Sequence, residues 1–124
     1  MDEGKIISTL VAVKGDKLIF KNSCDVSPLP NGFDADYAYV AKDDAMESNK
    51  IRENSTVLVS KTLNLRNGDI ALVVVEGNII IRKFTKSKKM IVLEADNSAY
   101  PTIIRSEELV TILGRLSAVF HKFD

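Results

Sequence analysis

The feature that most constrains the fold is a succession of short apolar segments, rich in valine and isoleucine, each bounded by a turn signal. The clearest example is residues 70–75, which follow an Asn-Gly-Asp turn and are separated by Glu76-Gly77-Asn78 from another apolar segment. Segments of this length and composition favour strands, and the intervening turn residues favour hairpins. The sequence therefore predicts a mostly β protein of strand hairpins with little helix.

The same pattern places the other elements along the chain. Strands are predicted at residues 6–13, 17–21, 37–41, 56–60, 70–75, 79–84, 90–93 and 109–120. A polar turn at residues 42–47 contains acidic side chains suited to capping a helical turn. Two prolines and an Asn-Gly pair predict an irregular connection at about residues 22–34. We expect one compact domain over residues 1–124, since this length is typical of a single core.

Composition excludes several classes of protein. Hydrophobic residues make up 45% and charged residues 27%, which is typical of a globular rather than a disordered chain. The 17 basic and 17 acidic side chains cancel, so no overall field attracts a polyanion. No apolar segment approaches the roughly 20 residues of a membrane helix, and no secretory leader is visible. We therefore expect a cytoplasmic protein with no membrane partner.

Cysteine and histidine are too few for a metal or disulfide framework. Cys24 and His121 are the single cysteine and histidine, and they lie far apart in the sequence. One cysteine forms no internal disulfide, and this pair does not supply a usual zinc ligand set. We expect no metal and no cofactor.

Four segments, taken in order, carry a resemblance to a known family. They are residues 35–47, with Asp43-Asp44-Ala45-Met46, residues 67–70, with Asn-Gly-Asp-Ile, residues 79–84, with Ile-Ile-Ile-Arg-Lys-Phe, and residues 93–103, with Asn97-Ser98-Ala99-Tyr100. Together they resemble the C-terminal domain of LexA and phage CI-type repressors, a LexA-UmuD-like family of serine peptidases. The resemblance implies a β-clip-like domain with strand hairpins around a cleft. It also implies a role in transcription regulation, as in the SOS response, with DNA bound only through another domain.

The resemblance assigns the catalytic positions but not the catalytic residues. The family's serine corresponds to Ala45, in a cleft of Asp44, Ala45 and Met46, and its lysine corresponds to Arg82. An alanine methyl group is no nucleophile, and a guanidinium stays protonated at any working pH, so it accepts no proton. Lys83 is an alternative base only after a one-residue register slip, because adjacent strand residues face opposite sides of a sheet. We expect an inactive peptidase-like cleft.

Two other family features have counterparts here. The scissile bond joins a small residue to glycine, and the corresponding vestigial site is Lys14-Gly15, where a bulky cation replaces the small residue. The last strand forms a symmetric dimer contact in the family. The resemblance thus implies a homodimer contact through Ile112, Leu116, Val119 and Phe120, with an ordinary core strand as the alternative.

Simpler interpretations stay open for the charged residues. A buried Arg82 needs a partner, and Asp43, Asp44 and Glu47 are the available carboxylates. The cluster of Lys83, Lys86, Lys88 and Lys89 around Phe84 is a solvated hairpin or, less simply, a nucleic-acid contact.

Three hypotheses about function follow. The first is a dimerisation and regulatory domain of a repressor-like transcription regulator whose cleft lacks the Ser/Lys dyad. The second is an autocleaving repressor peptidase trapped by a serine-to-alanine substitution at Ala45. The third is an antirepressor or peptide-binding module that takes a protein partner into the cleft as an added strand.

Overall fold

The computed structural model describes residues 8–14, 17–22, 35–62 and 64–120. Strands dominate these residues: β1 (Ser8–Lys14), β2 (Lys17–Asn22), β3 (Tyr37–Val40), β4 (Thr56–Ser60), β5 (Ile70–Val75), β6 (Asn78–Ser87), β7 (Met90–Glu94), β8 (Ile103–Ser106) and β9 (Val110–Phe120). Two single-turn 3-10 helices, Glu47–Asn49 and Glu107–Leu109, make up the helical structure assigned there. The prediction of a mostly β fold is confirmed.

The strands form one sheet in the order β2-β1-β3-β4-β9-β5-β6-β7-β8. Every neighbouring pair is antiparallel except β1 and β3, which pair in parallel. Five of the eight neighbouring pairs join strands that are consecutive in the chain, and the turns of β5–β6 and β6–β7 are tight hairpins, as the turn signals predict. The last strand, β9, then returns to the centre and joins β4 to β5.

One strand was not predicted from the sequence. β8 is only four residues long, follows Pro101, and pairs with β7 at the edge of the sheet. A segment this short, with Ile104 half exposed, gives no alternation long enough to identify. The predicted connection at residues 22–34 lies outside the described residues from residue 23 onward, as do Cys24 and His121.

The β5–β6 turn shows why the hairpin signal was reliable. Glu76 and Gly77 both have positive φ, 52° and 79°, between the paired residues Val75 and Asn78. A two-residue loop with two positive φ values matches the right-handed twist of the strands it joins. Glu76 also receives hydrogen bonds from Arg105 of β8, at 2.7 and 3.1 Å.

Buried side chains lie on both faces of the sheet. One large cluster contains Tyr37, Val57, Leu72 and Ile81 among its members, and another is built from Ala71, Val73, Phe84 and Leu93 with their neighbours. Residues 71–73 of β5 are all fully buried, which agrees with their unbroken apolar sequence. No helix in the described parts of the chain has the length and apolarity to cross a membrane.

The centre of the sheet depends on an irregularity in β9. Leu113 is the extra residue of a bulge, because Leu72 pairs with Gly114 whereas Val73 pairs with Ile112. The Tyr37 hydroxyl donates a 2.8 Å hydrogen bond to the Leu113 carbonyl oxygen, and burial raises the pKa of that phenol. The bulge is therefore fixed by a buried side chain from β3.

Gly114 allows β9 to approach β4 closely. A Cβ at this position would collide with the Ser60 carbonyl oxygen and lie 2.6 Å from Val59 Cγ1. The obstacle is largely backbone, which does not rotate away.

We predict that Gly114→Ala lowers the free energy of unfolding by about 1–3 kcal/mol, the usual cost of overpacking. Urea denaturation followed by circular dichroism measures it. Gly77→Asn is the matched control, because nothing lies within 4 Å of a Cβ there and asparagine tolerates positive φ. An unchanged stability of Gly114→Ala would show that β4 and β9 move apart at little cost.

Candidate functional site

The turn between β3 and β4 holds the predicted cleft residues. Ala45 is completely buried and Met46 is 2% exposed, whereas Asp44 is half-buried. The turn is stabilised locally, because the Ala45 amide donates to Asp43 Oδ1 at 3.0 Å and the Glu47 amide donates to the Asp44 carbonyl oxygen at 3.1 Å. An Asp side chain that accepts from the amide two residues later is a common turn device.

A second loop, after β7, encloses this turn. The amides of Asp96 and Asn97 both donate to the Ala45 carbonyl oxygen, at 2.8 and 3.0 Å. The Asn97 side-chain amide donates to the Asp44 carbonyl oxygen at 3.3 Å, and the Asp44 amide donates to the Tyr100 hydroxyl at 3.4 Å. Both polar backbone groups of Ala45 are thus already hydrogen-bonded within the chain.

Arg82 lies under the turn, on β6. It is only 5% exposed, although a guanidinium is among the groups least often buried. Nη1 donates to the Ile81 carbonyl oxygen at 2.8 Å and lies 3.6 Å from Asp43 Oδ2. The guanidinium carbon is 5.4 Å from the centre of the Tyr100 ring, within the range of a cation–π contact. Nε is buried and has no hydrogen-bond partner.

Asp43 connects the two predicted catalytic positions. One carboxylate oxygen accepts from the Ala45 amide and the other faces Arg82. Of the three carboxylates that the sequence left open as partners of Arg82, the structure pairs it with Asp43. An ionised carboxylate beside a buried guanidinium offsets part of the cost of removing that charge from water.

Lys83 has a different environment from its neighbour. It is exposed, and its backbone lies opposite Ile70 of β5 and Glu94 of β7. Since consecutive strand residues face opposite sides, Lys83 points away from the side on which Arg82 meets Asp43.

The predicted cleavage segment runs beside the same turn. Val11, Ala12 and Val13 of β1 line an open groove of about 510 Å³ together with Tyr39, Lys42, Asp43 and residues 77–80. Lys14, exposed, ends β1, and Gly15 lies outside the described residues. The structure therefore brings the strand that precedes Lys14 alongside Asp43.

The predicted dimer-contact residues are divided between the chain's own clusters. Ile112 packs against the cluster that contains Phe84, whereas Leu116 and Val119 pack against the cluster that contains Tyr37. All three are partly buried, and β9 is hydrogen-bonded on both sides. Phe120 pairs through its backbone with Thr56, and its side chain lies outside what the structure describes.

The lysine-rich hairpin has the character of a solvated turn. Lys83, Lys88 and Lys89 are exposed, and Lys86 Nζ lies 2.6 Å from the Glu107 carboxylate. The hydrogen bond and the positive charge of Lys86 lower the pKa of Glu107. At least one of the four cations is thus neutralised locally.

Sequence reasoning missed the part played by Tyr100. The sequence marked it as the aromatic residue of a family segment, but gave no sign that its ring covers Arg82 and its hydroxyl meets Asp44. The occupied state of the Ala45 amide was also missed, although an Asp two residues earlier is a recognisable turn signal.

Comparison with known proteins now identifies the family. The profile described as peptidase S24-like matches residues 8–117, which span the turn, Arg82 and β1. The chain belongs to the peptidase S24-like family. Its mostly β fold, with one nine-stranded sheet in the described residues, is that of a LexA C-terminal-type domain, as the resemblance implied.

Proteins named LexA repressor are among the curated relatives of the chain. The one from Ruegeria sp. (strain TM1040) is 33% identical over 70% of this chain and 36% of its own length. That from Clostridium botulinum (strain Okra / Type B1) is 28% identical over 95% of this chain and 59% of its own length. That from Acetivibrio thermocellus is 30% identical over 85% of this chain and 50% of its own length. The S24-like chain thus spans about one-third to three-fifths of the length of these relatives.

Proposed function

We propose that this S24-like chain is a dimerisation and regulatory domain of a repressor-like transcription regulator, and that its cleft lacks the Ser/Lys dyad. The observation that carries the proposal is the buried Arg82, which is paired with Asp43 next to a buried Ala45. Relatives named LexA repressor support the link to repression.

The chemistry of the two positions supports the loss of peptidase activity. A Ser/Lys mechanism needs a hydroxyl that attacks the amide and an amine that becomes neutral to take its proton. The Ala45 methyl group provides no hydroxyl, and the Arg82 guanidinium keeps its proton. Lys83, the alternative base, is exposed on the other face of β6.

Association is the remaining function that a regulatory domain of this kind supplies. A repressor reads a palindromic operator as a dimer, so a domain that pairs two chains sets the spacing of the half-sites. We place the pairing at β9, through Ile112, Leu116, Val119 and Phe120, and assign DNA contact to another domain. The zero net charge of this chain is consistent with a role that does not contact DNA directly.

The rival hypothesis is a peptidase disarmed only at Ala45. We predict that Ala45→Ser yields no truncated product near Lys14-Gly15, even at alkaline pH, because Arg82 does not accept the serine proton. Mass spectrometry of the incubated protein measures this. A product that disappears in Ala45→Ser/Lys83→Met would identify Lys83 as the base and establish the chain as a trapped hydrolase.

The association hypothesis has its own test. We predict that the chain is a dimer by sedimentation velocity, and that Val119→Lys lowers the dimer fraction at a temperature where circular dichroism shows the variant still folded. Ile104→Lys is the control, since Ile104 is 53% exposed on the edge strand β8, away from the central β9. A chain that stays monomeric at high concentration would contradict the prediction. A dimer that only Ile104→Lys dissociates would show that the contact lies at β8.

A further inference from the structure

The Asp43 carboxylate faces two donors, a backbone amide and a guanidinium. Oδ1 accepts a 3.0 Å hydrogen bond from the Ala45 amide, and Oδ2 lies 3.6 Å from Arg82 Nη1. The amide belongs to a fully buried residue and the guanidinium to a residue 5% exposed. Two donors held by the fold therefore converge on one carboxylate.

Arg82 has more hydrogen-bonding capacity than its surroundings use. A guanidinium carries five N–H donors, and an arginine–carboxylate pair at its best is bidentate, with two bonds near 2.8 Å. Here the single ion-pair distance is 3.6 Å, and Nε is buried without a partner. Asp43 is thus a loose fit, because its side chain must also reach the Ala45 amide two residues away.

The position is accessible from outside. The Asp43 side chain is 32% exposed and lines the 510 Å³ groove beside β1, so a small anion can reach the place of the carboxylate once it is removed. The Tyr100 ring limits the space on the side of the guanidinium.

We propose that the Ala45 amide and Arg82 form a carboxylate-binding site, and that Asp43 is its intramolecular occupant. While Asp43 is in place, the Ala45 amide is not available to the carbonyl or carboxylate group of a peptide. The site is occupied by a carboxylate of its own chain, and the ligand class that it takes once Asp43 is removed is a monocarboxylate. This proposal concerns the same cleft as the proposed function, but it does not require two chains to pair. Each of the two proposals can therefore fail while the other holds.

The competing explanation is that Asp43 stabilises the turn only by accepting the hydrogen bond of the Ala45 amide. A turn of that kind makes no use of the Arg82 charge. The two explanations therefore differ in whether an external carboxylate replaces the missing side chain, and in whether that replacement needs Arg82.

The test is rescue by formate in the complete chain. We predict that Asp43→Ala lowers the thermal unfolding midpoint, and that sodium formate raises it by several degrees more than sodium chloride at the same concentration, since a ligand that binds only the folded state stabilises it. Wild-type protein and Asp43→Ala/Arg82→Met are the controls, and formate should act on neither beyond chloride. Differential scanning calorimetry measures all three.

A second variant covers the case in which Asp43→Ala does not fold. Asp43→Ser keeps an oxygen able to accept from the Ala45 amide and leaves room for formate, and the Ala45 amide resonance should then shift on titration with formate. Equal effects of formate and chloride on Asp43→Ala, or a formate effect that persists without Arg82, would overturn the proposal. So would an Ala45 amide resonance in Asp43→Ser that formate does not shift.

Discussion

The structure of the site depends on the burial of one permanent charge. Arg82 lies on the hairpin strand β6 with almost no exposure, so the surrounding chain must supply a negative partner and a compatible surface. Asp43 is the negative partner, and the face of the Tyr100 ring is the compatible surface. The turn at residues 43–46 and the loop at residues 96–100 are consequently drawn together over β6, with Ala45 between them. The same contacts leave the Ala45 amide occupied.

The sheet supports this arrangement through its centre. β9 returns between β4 and β5, and it fits there because position 114 has no side chain and because Tyr37 accommodates the bulge at Leu113. β5 and its hairpin partner β6 are then held in register with each other, which fixes the direction in which Arg82 points. Lys83, one residue on, is directed to the opposite face. The register of the β5–β6 hairpin therefore decides that Arg82, and not Lys83, faces the turn at residues 43–46.

Much of the fold was predictable because its signals are local. The β5–β6 hairpin, the neighbouring strands and the turn at residues 42–47 follow from β-branched segments and turn residues, whereas the four-residue edge strand β8 was too short to be recognised. At the site, the sequence predicted that a carboxylate pairs with Arg82, since a buried guanidinium requires a negative partner. The choice of Asp43 and the position of Tyr100 were not predicted, because they arise from segments well separated in the sequence that meet only in the folded chain.

The most direct test of the account is the coupling free energy between Asp43 and Arg82. A double-mutant cycle with Asp43→Asn and Arg82→Met suits it, because asparagine keeps an oxygen for the Ala45 amide and removes only the charge. The account predicts a favourable coupling within the range of about 0.5–3 kcal/mol found for contacting residues, measured by urea denaturation. Additive effects of the two substitutions would contradict it, since Arg82 would then be buried without dependence on the carboxylate that accepts from the Ala45 amide.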